Sequence, residues 1–377
     1  MTARRRRVLL DARKARDFGI GTYIRGLLGG LARQDRWDLT ALVFSGEEAL
    51  LPPGVAARVC AARHYSLGEL VAVRRAISAA KPDLFHAPHY VVPFFPPRTT
   101  VVTIHDLMHL TRPEHATPAK RAYARWMMGR ALRLAAKVIA GSEATKREIL
   151  AFGPSRGLEV EVIPYGVRQE FFECEEKRVS MRGLAEARSP VLPFEAPYLL
   201  FLGNDKPHKN LDGLLAAFAR LRASFPSLSL VLAGVAPGRI HAEGVHALGF
   251  VPEADVPPLL AGARALVLPS FAEGFGLPVL EAQAAGTPVA CSDLPALREA
   301  AGDAAVFFDP ADVGSILAGL EKILKDDELR KILRKSGRER AAQFTWARAA
   351  ERTARIYDRV LYPFEEKPAS PELERSS

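Results

Sequence analysis

Residues 265–291 read ALVLPSFAEGFGLPVLEAQAAGTPVAC. Four apolar residues, 265–268, make a short buried strand. Gly274 and Gly276 then precede a helix expected over 277–285, with Pro278 in its first turn, where a missing N–H is tolerated. A second apolar run, 288–291, follows. Strand, glycine-rich turn, helix and strand in this order describe a βα unit of a parallel sheet. The turn leaves backbone amides free beside a helix N-terminus, a place that favours anions. Glu273 stands before the helix and Glu281 one turn into it, so both carboxylates can face one cleft and accept hydroxyl groups.

The same alternation extends both ways. Before it, strands are expected at 198–202, 229–233 and 245–248, with helices at 211–223 and 254–261. After it come a strand at 305–308, helices at 313–324 and 327–343, and one more from Trp346 to about Leu361. The first half repeats the theme: strands at 8–10, 40–44, 83–86, 100–104, 137–140 and 160–163, and helices at 22–33, 67–79, 118–134 and 143–152, the last with Ser142 as N-cap. A charged stretch at about 171–197, with prolines at 190, 193 and 197, reads as a linker. The tail EEKPASPELERSS is polar and reads as frayed. The pattern is that of two doubly wound α/β domains in tandem, 1–190 and 191–345, followed by a helix and tail over 346–377.

Composition agrees. The chain has 377 residues, 48% hydrophobic and 25% charged, which excludes disordered, collagen-like and coiled-coil classes and suits two domains. The net charge is +9, and it is unevenly placed: residues 1–190 carry 31 Lys+Arg against 19 Asp+Glu, whereas residues 191–377 carry 21 against 24. A basic first half points to an anionic partner. Cys60, Cys174 and Cys291 are far apart and form neither a disulfide framework nor a zinc motif. The apolar run after the N-terminal arginines stops at Asp11, too soon for a signal peptide, and no apolar stretch is long enough to span a membrane. A cytoplasmic location is expected.

Ligands of open parallel sheets bind at the carboxyl ends of strands, so the other strand-to-helix turns carry the remaining candidates. Gly19 and Gly21 precede a helix and can approach a phosphate closely, although a plain turn would need them too. The strand at 100–104 delivers His105 and Asp106; the histidine can hydrogen-bond a ligand or serve the fold, with Asp106 capping the next turn. His86 and His89 have metal-like spacing, but Pro88 disfavours a helix and no acidic partner is near. Lys206 and Lys209, in GNDKPHKN (203–210), lie beside a helix N-terminus, where lysine neutralises phosphate as a point charge.

Together these blocks resemble the retaining group 1 glycosyltransferases. EGFGLPVLEAQAAGTPVACSDLPALREAAGDAAVFFDP is similar to that family's signature, including its pair of glutamates as Glu273 and Glu281. GNDKPHKNL, IPYGV, GSEATKREI, TIHDL and GIGTYIRGL sit where the family has its other blocks, and the likeness spans roughly residues 8–361. The resemblance implies two Rossmann-like domains facing across a cleft (the GT-B fold), with the last helix crossing back to the first domain. It implies that Glu281 holds the donor's ribose, and that Glu273 with the amides of Gly274, Phe275, Gly276 and Leu277 holds its sugar and diphosphate. Lys209, helped by Lys206, neutralises the diphosphate, Gly19 and Gly21 approach it from the other wall, and His105 contacts the transferred sugar. The turn at 249–251 resembles the family's base-binding turn, which places Val251 at the base. Many members carry an arginine where this chain has Asn204; the phosphate clamp is then expected to rest on Lys209 with help from Lys206, or on another basic residue such as Arg168.

No Asp-x-Asp triplet occurs in the chain, so the expectation is metal-independent transfer with retention and no cofactor, the departing charge being met by lysines and helix N-termini. The stretch VVTIHDLMHLTRPEH resembles mannosyltransferase-like members, which favours GDP-mannose over a UDP-hexose. The acceptor expected at the basic first domain is a glycan or lipid-linked glycan. The segment 118–137 interleaves six Lys/Arg with Trp126, Met127, Met128 and leucines; it reads as an amphipathic helix with one core face, or as a peripheral dock on an anionic membrane. A nucleotide-sugar 2-epimerase is the rival enzyme. Nucleic acid is not expected as a partner, since no recognition motif accompanies the charge.

Overall fold

Seven strands make the first sheet: β1 (Arg6–Asp11), β2 (Trp37–Val43), β3 (Ala56–Val59), β4 (Leu84–Ala87), β5 (Thr100–Ile104), β6 (Lys137–Ala140) and β7 (Val160–Val162). Six make the second: β8 (Tyr198–Leu202), β9 (Ser229–Ala233), β10 (Val245–Gly249), β11 (Ala265–Leu268), β12 (Val289–Ser292) and β13 (Val306–Phe308). These come from a computed structural model, which describes residues 4–111, 117–153, 157–174 and 197–363. All pairings are parallel, in the orders β3-β2-β1-β4-β5-β6-β7 and β10-β9-β8-β11-β12-β13. Each order reverses once, between β1 and β4 and between β8 and β11. Those reversals open a crevice at the strand ends.

The expected strands are present with ends moved by a few residues. β4, β5, β9, β11 and β12 are buried along their whole length, which is why they read as largely apolar runs. One strand escaped the sequence reading: β3 lies at the sheet edge, mostly exposed, so AARV shows no apolar signal. The helix Pro295–Ala301 was also missed, being short and opened by a proline. The helix Gln169–Glu173 reaches into the expected linker, with Phe171 fully buried; the rest of that linker, 175–196, lies outside the described residues, as does the tail from 364.

The helix Trp346–Leu361 packs on the helix Ile20–Ala32 of the first half. The contact is close because glycines stand at it: a Cβ on Gly26 would come within 2.2 Å of the Trp346 ring, and one on Gly30 within 2.5 Å of Ala350 Cβ. Tyr357 of this last helix reaches His86 on β4 (2.7 Å), and His86 reaches Thr103 (2.8 Å). With both ring nitrogens so engaged and burial lowering its pKa to about 3, His86 is a neutral core histidine.

Candidate functional site

The loop from β11 to the helix Leu277–Ala284 forms one wall. Glu273 is held by two groups on the same oxygen: Lys209 Nζ and Ser270 Oγ each donate to its Oε1 at 2.7 Å. Lys209 and Glu273 are 13% and 11% exposed, so the pair is screened little by water. The turn that carries Lys209 is tied to this loop by the Phe271 N–H, which donates to the His208 carbonyl at 2.7 Å. Gly276 opens the helix at φ +101°, a conformation that favours glycine. Among the described residues, the N–H groups of Gly274, Phe275, Gly276 and Leu277 have no hydrogen-bond acceptor. The Phe275 ring itself is buried, so that residue offers only its amide.

His105, at the end of β5, forms the opposite wall. Its Nε2 meets the Pro88 carbonyl at 2.9 Å, and Nδ1 meets the Tyr165 hydroxyl at 2.6 Å. A carbonyl only accepts, so Nε2 carries the proton and Tyr165 is the donor at Nδ1. Burial lowers the His105 pKa to about 4, against the rise from the Pro88 contact. The ring therefore has no free nitrogen in this conformation, and a ligand must take the Nε2–H from Pro88. Asp106 caps the following turn as expected, accepting the Met108 N–H at 3.0 Å, and burial raises its pKa.

The two walls touch. The Gly274 carbonyl accepts from Ser142 Oγ (2.7 Å) and Thr145 Oγ1 (2.9 Å), and a Cβ on Gly274 would lie 2.0 Å from the His105 carbonyl oxygen. Glu299 of the second half caps the helix Glu143–Phe152 of the first, accepting the Glu143 and Ala144 N–H groups at 2.6 and 2.8 Å. Ser142 is thus both the expected N-cap and an interdomain contact.

Two expectations need correction. The Gly21 N–H is already spent on the Asp17 carbonyl (2.8 Å), and a Cβ there would strike the Ala15 carbonyl at 2.4 Å. Gly21 is therefore needed for close packing and offers a ligand no amide. Gly19, by contrast, is exposed at φ +66° with open space around it. Arg168 does not stand in simply for the arginine absent at Asn204: it pairs with Glu253 at 3.3 Å and acts on Glu281, and Glu253 also pairs with Arg25. Asn204 accepts the N–H of the exposed Lys206. Glu281 sits partly buried on its helix, and burial pushes its pKa up to about 7, against a lowering by Arg168. Val251 is half-buried just after the Gly249 turn, and its neighbour, exposed Phe250, faces exposed Phe18 at 6.2 Å.

Sequence reasoning missed Tyr165. It lies in the segment IPYGV, but its use depends on packing. It is buried against Tyr23, Phe275 and Trp346, and a Cβ on Gly141 would collide with it.

Residues 185–340 match the family model described as Glycosyl transferases group 1, and residues 19–171 match that of Glycosyltransferase Family 4. The chain is 31% identical over 295 residues to an O-antigen chain mannosyltransferase B of Escherichia coli, covering 74% of each chain. Among solved structures it is similar to sucrose-phosphate synthase from Thermosynechococcus elongatus, with a TM-score of 0.76 and 20% identity over 95% of this chain and 99% of that one. It is also similar to Anabaena Alr3699/HepE in complex with UDP-glucose, with a TM-score of 0.71 and 19% identity over 93% and 98%.

Proposed function

Because the chain belongs to the group 1 glycosyltransferases, we propose that it moves mannose from GDP-mannose, with retention and without a metal ion, to a glycan or lipid-linked acceptor of polysaccharide biosynthesis. The observation that carries the reading is the Lys209–Glu273–Ser270 constellation set beside the unpaired amides of residues 274–277. Glu273 and these amides hold the donor sugar and diphosphate. Lys209, with Lys206 at the rim and Gly19 opposite, meets the charge that develops as the nucleoside diphosphate leaves. Glu281 takes the ribose hydroxyls and the turn at Val251 the base. His105 turns its Nε2–H to the transferred sugar. Among the described residues no carboxylate is an evident enzymatic nucleophile, which favours attack by the acceptor from the face the diphosphate leaves.

The preference for mannose rests on the identity to the O-antigen mannosyltransferase and on the VVTIHDLMHLTRPEH stretch. No helix among the described residues is long and apolar enough to cross a membrane. In the helix Pro118–Leu134, Met127, Met128 and Leu132 are buried in the core, while Arg125, Arg133 and Trp126 (42% exposed) form an outer face and Lys120 is exposed in the first turn. That outer face is the part of the helix that would rest on an anionic membrane.

A thermal-shift panel of GDP-, UDP- and ADP-sugars tests the donor, and transfer measured with and without EDTA tests the metal-free mechanism. Stabilisation by GDP-mannose above the others and activity that survives EDTA are expected. Preference for a UDP-hexose would replace the donor, and strict metal dependence would overturn the mechanism.

A further inference from the structure

The loop from β4 to β5 has so far served only through its first residue, Pro88, whose carbonyl accepts from His105 Nε2. Its middle reads Pro93-Phe94-Phe95-Pro96-Pro97. Phe94 is half-buried and packs on the core of the first half. Phe95 is 83% exposed, more than any other large apolar side chain among the described residues. It also sits at φ +49°, a left-handed conformation that strains a bulky side chain. Exposure and strain both cost the folded protein, and the ring returns no packing for them. Prolines on either side stiffen the loop and keep the ring held out.

Arg130 ties this loop to the helix Pro118–Leu134. Its Nη2 donates to the Pro93 carbonyl at 3.0 Å, and its guanidinium lies 5.2 Å from the centroid of Phe94 and 5.3 Å from that of Trp126. Loop and helix therefore present one surface. Together they carry Arg98, Lys120, Arg121, Arg125, Arg130 and Arg133, and neither contains an Asp or Glu. Among the described residues the exposed Arg125 and Arg133 meet no carboxylate: Arg125 lies 5.4 Å from the Phe152 ring, and Arg133 donates to the Gly129 carbonyl.

Exposed aromatic rings among unmatched cations fit the boundary of an anionic bilayer. Rings rest there at the level of the headgroups, while arginine and lysine reach the lipid phosphates. A single ring held out by prolines, rather than a broad apolar patch, suits shallow insertion between headgroups.

We propose that Phe95 is a membrane anchor: its ring enters the headgroup boundary of an anionic bilayer while the arginines around it meet lipid phosphates. The inference rests on the membrane reading of the helix Pro118–Leu134, to which it adds the inserting group and an orientation. Phe95 lies seven residues beyond Pro88, so at most about 25 Å of chain separates the wall of the candidate site from the bilayer. A lipid-linked acceptor would be met with its reacting sugar within that height.

The test is co-sedimentation of the full chain with sucrose-loaded vesicles of phosphatidylcholine, with and without phosphatidylglycerol. Phe95→Gly removes the ring and fits φ +49° without strain, so its melting temperature should hold or rise. Its partition onto phosphatidylglycerol vesicles should fall about tenfold, whereas Phe95→Trp should keep it. Trp37 and Trp346 are buried, so in Phe95→Trp combined with Trp126→Phe the new indole is the exposed reporter, and lipids with brominated acyl chains should quench it. Unchanged partition of Phe95→Gly, an indole that escapes quenching, or a lower melting temperature would overturn the proposal while vesicle binding by the unaltered protein kept the basic helix as the dock. No partition of the unaltered protein onto anionic vesicles would overturn both, and would leave this surface to a protein partner.

Discussion

The hydroxyl of Tyr165 donates to Nδ1 of His105 at 2.6 Å, and this fixes where the histidine keeps its proton. The proton sits on Nε2, at the Pro88 carbonyl and beside the cleft. Tyr165 in turn packs on Phe275 of the loop after β11, with ring centroids 4.6 Å apart, and on Trp346 of the last helix. One side chain thus links the histidine, the loop after β11 and the returning helix.

Tyr165→Phe keeps the packing and removes the donor. Turnover should fall about tenfold with the donor KM within about twofold, because the histidine's proton is no longer confined to the cleft side. Nitrogen-15 spectra of labelled histidine should show His105 changing from a single tautomer to a mixture. Unchanged turnover and spectra would remove Tyr165 from the mechanism.

Gly274→Ala sets a Cβ 2.0 Å from the His105 carbonyl. Both atoms belong to or adjoin backbone, so no rotamer relieves the clash. The walls must part, breaking the Ser142 and Thr145 contacts with the Gly274 carbonyl. Each half should stay folded while turnover drops by about a hundredfold or more. Circular dichroism and steady-state kinetics together would show this; near-normal kinetics would mean that the walls need not meet.

Lys209→Met leaves Glu273 as a nearly buried carboxylate with only Ser270 as partner. Stability should fall by on the order of 2–3 kcal/mol in urea unfolding. Turnover should fall further than that loss explains, since the departing diphosphate loses its cation. Recovery of stability but not turnover in Lys209→Met combined with Glu273→Gln would separate the two effects.

Burial raises Glu281 from the usual 4.5 to about 7. An acid raised in the folded state contributes stability that is complete below about pH 4.5 and is lost as the pH climbs through 7. The melting temperature without ligand should therefore decline between pH 5 and 8, and Glu281→Gln should flatten that decline. A parallel decline in the variant would exonerate Glu281. Glu281→Ala should abolish turnover of the nucleotide sugar.

The outer face of the helix Pro118–Leu134 predicts salt-sensitive flotation with liposomes containing anionic phospholipid, and none with neutral ones. Replacing Arg125 and Arg133 by Gln should reduce flotation without altering the melting temperature, because both are exposed. Absence of lipid-dependent flotation would leave this helix a purely structural element.

Local chemistry made much of this molecule legible from residue types alone. Central strands such as β5 and β11 have both faces covered, so their apolar runs stand out; the edge strand β3, exposed to water, gives no such signal. Ser142 announces its helix because capping acts over three residues. Glu273, Glu281 and the glycine frame lie within one short stretch, and so do Lys206 and Lys209, which made this wall of the candidate site readable.

What tertiary structure decided are contacts between residues far apart in the chain. The pairing of Tyr165 with His105, the meeting of Gly274 with Ser142, and the grip of Glu69 on Arg13 join positions 60, 132 and 56 residues apart. Hydrophobic period and capping say nothing of such distances, which follow from strand order and domain closure. The same holds for Gly21, whose pattern suggests an amide for phosphate and whose packing spends that amide on Asp17. Charge shows the difference most plainly. The sequence alone determines the basic excess of the first half, since it is a sum over residues. Only the fold decides that Arg13 and Lys14 are neutralised at the strand ends, because neutralisation depends on distance.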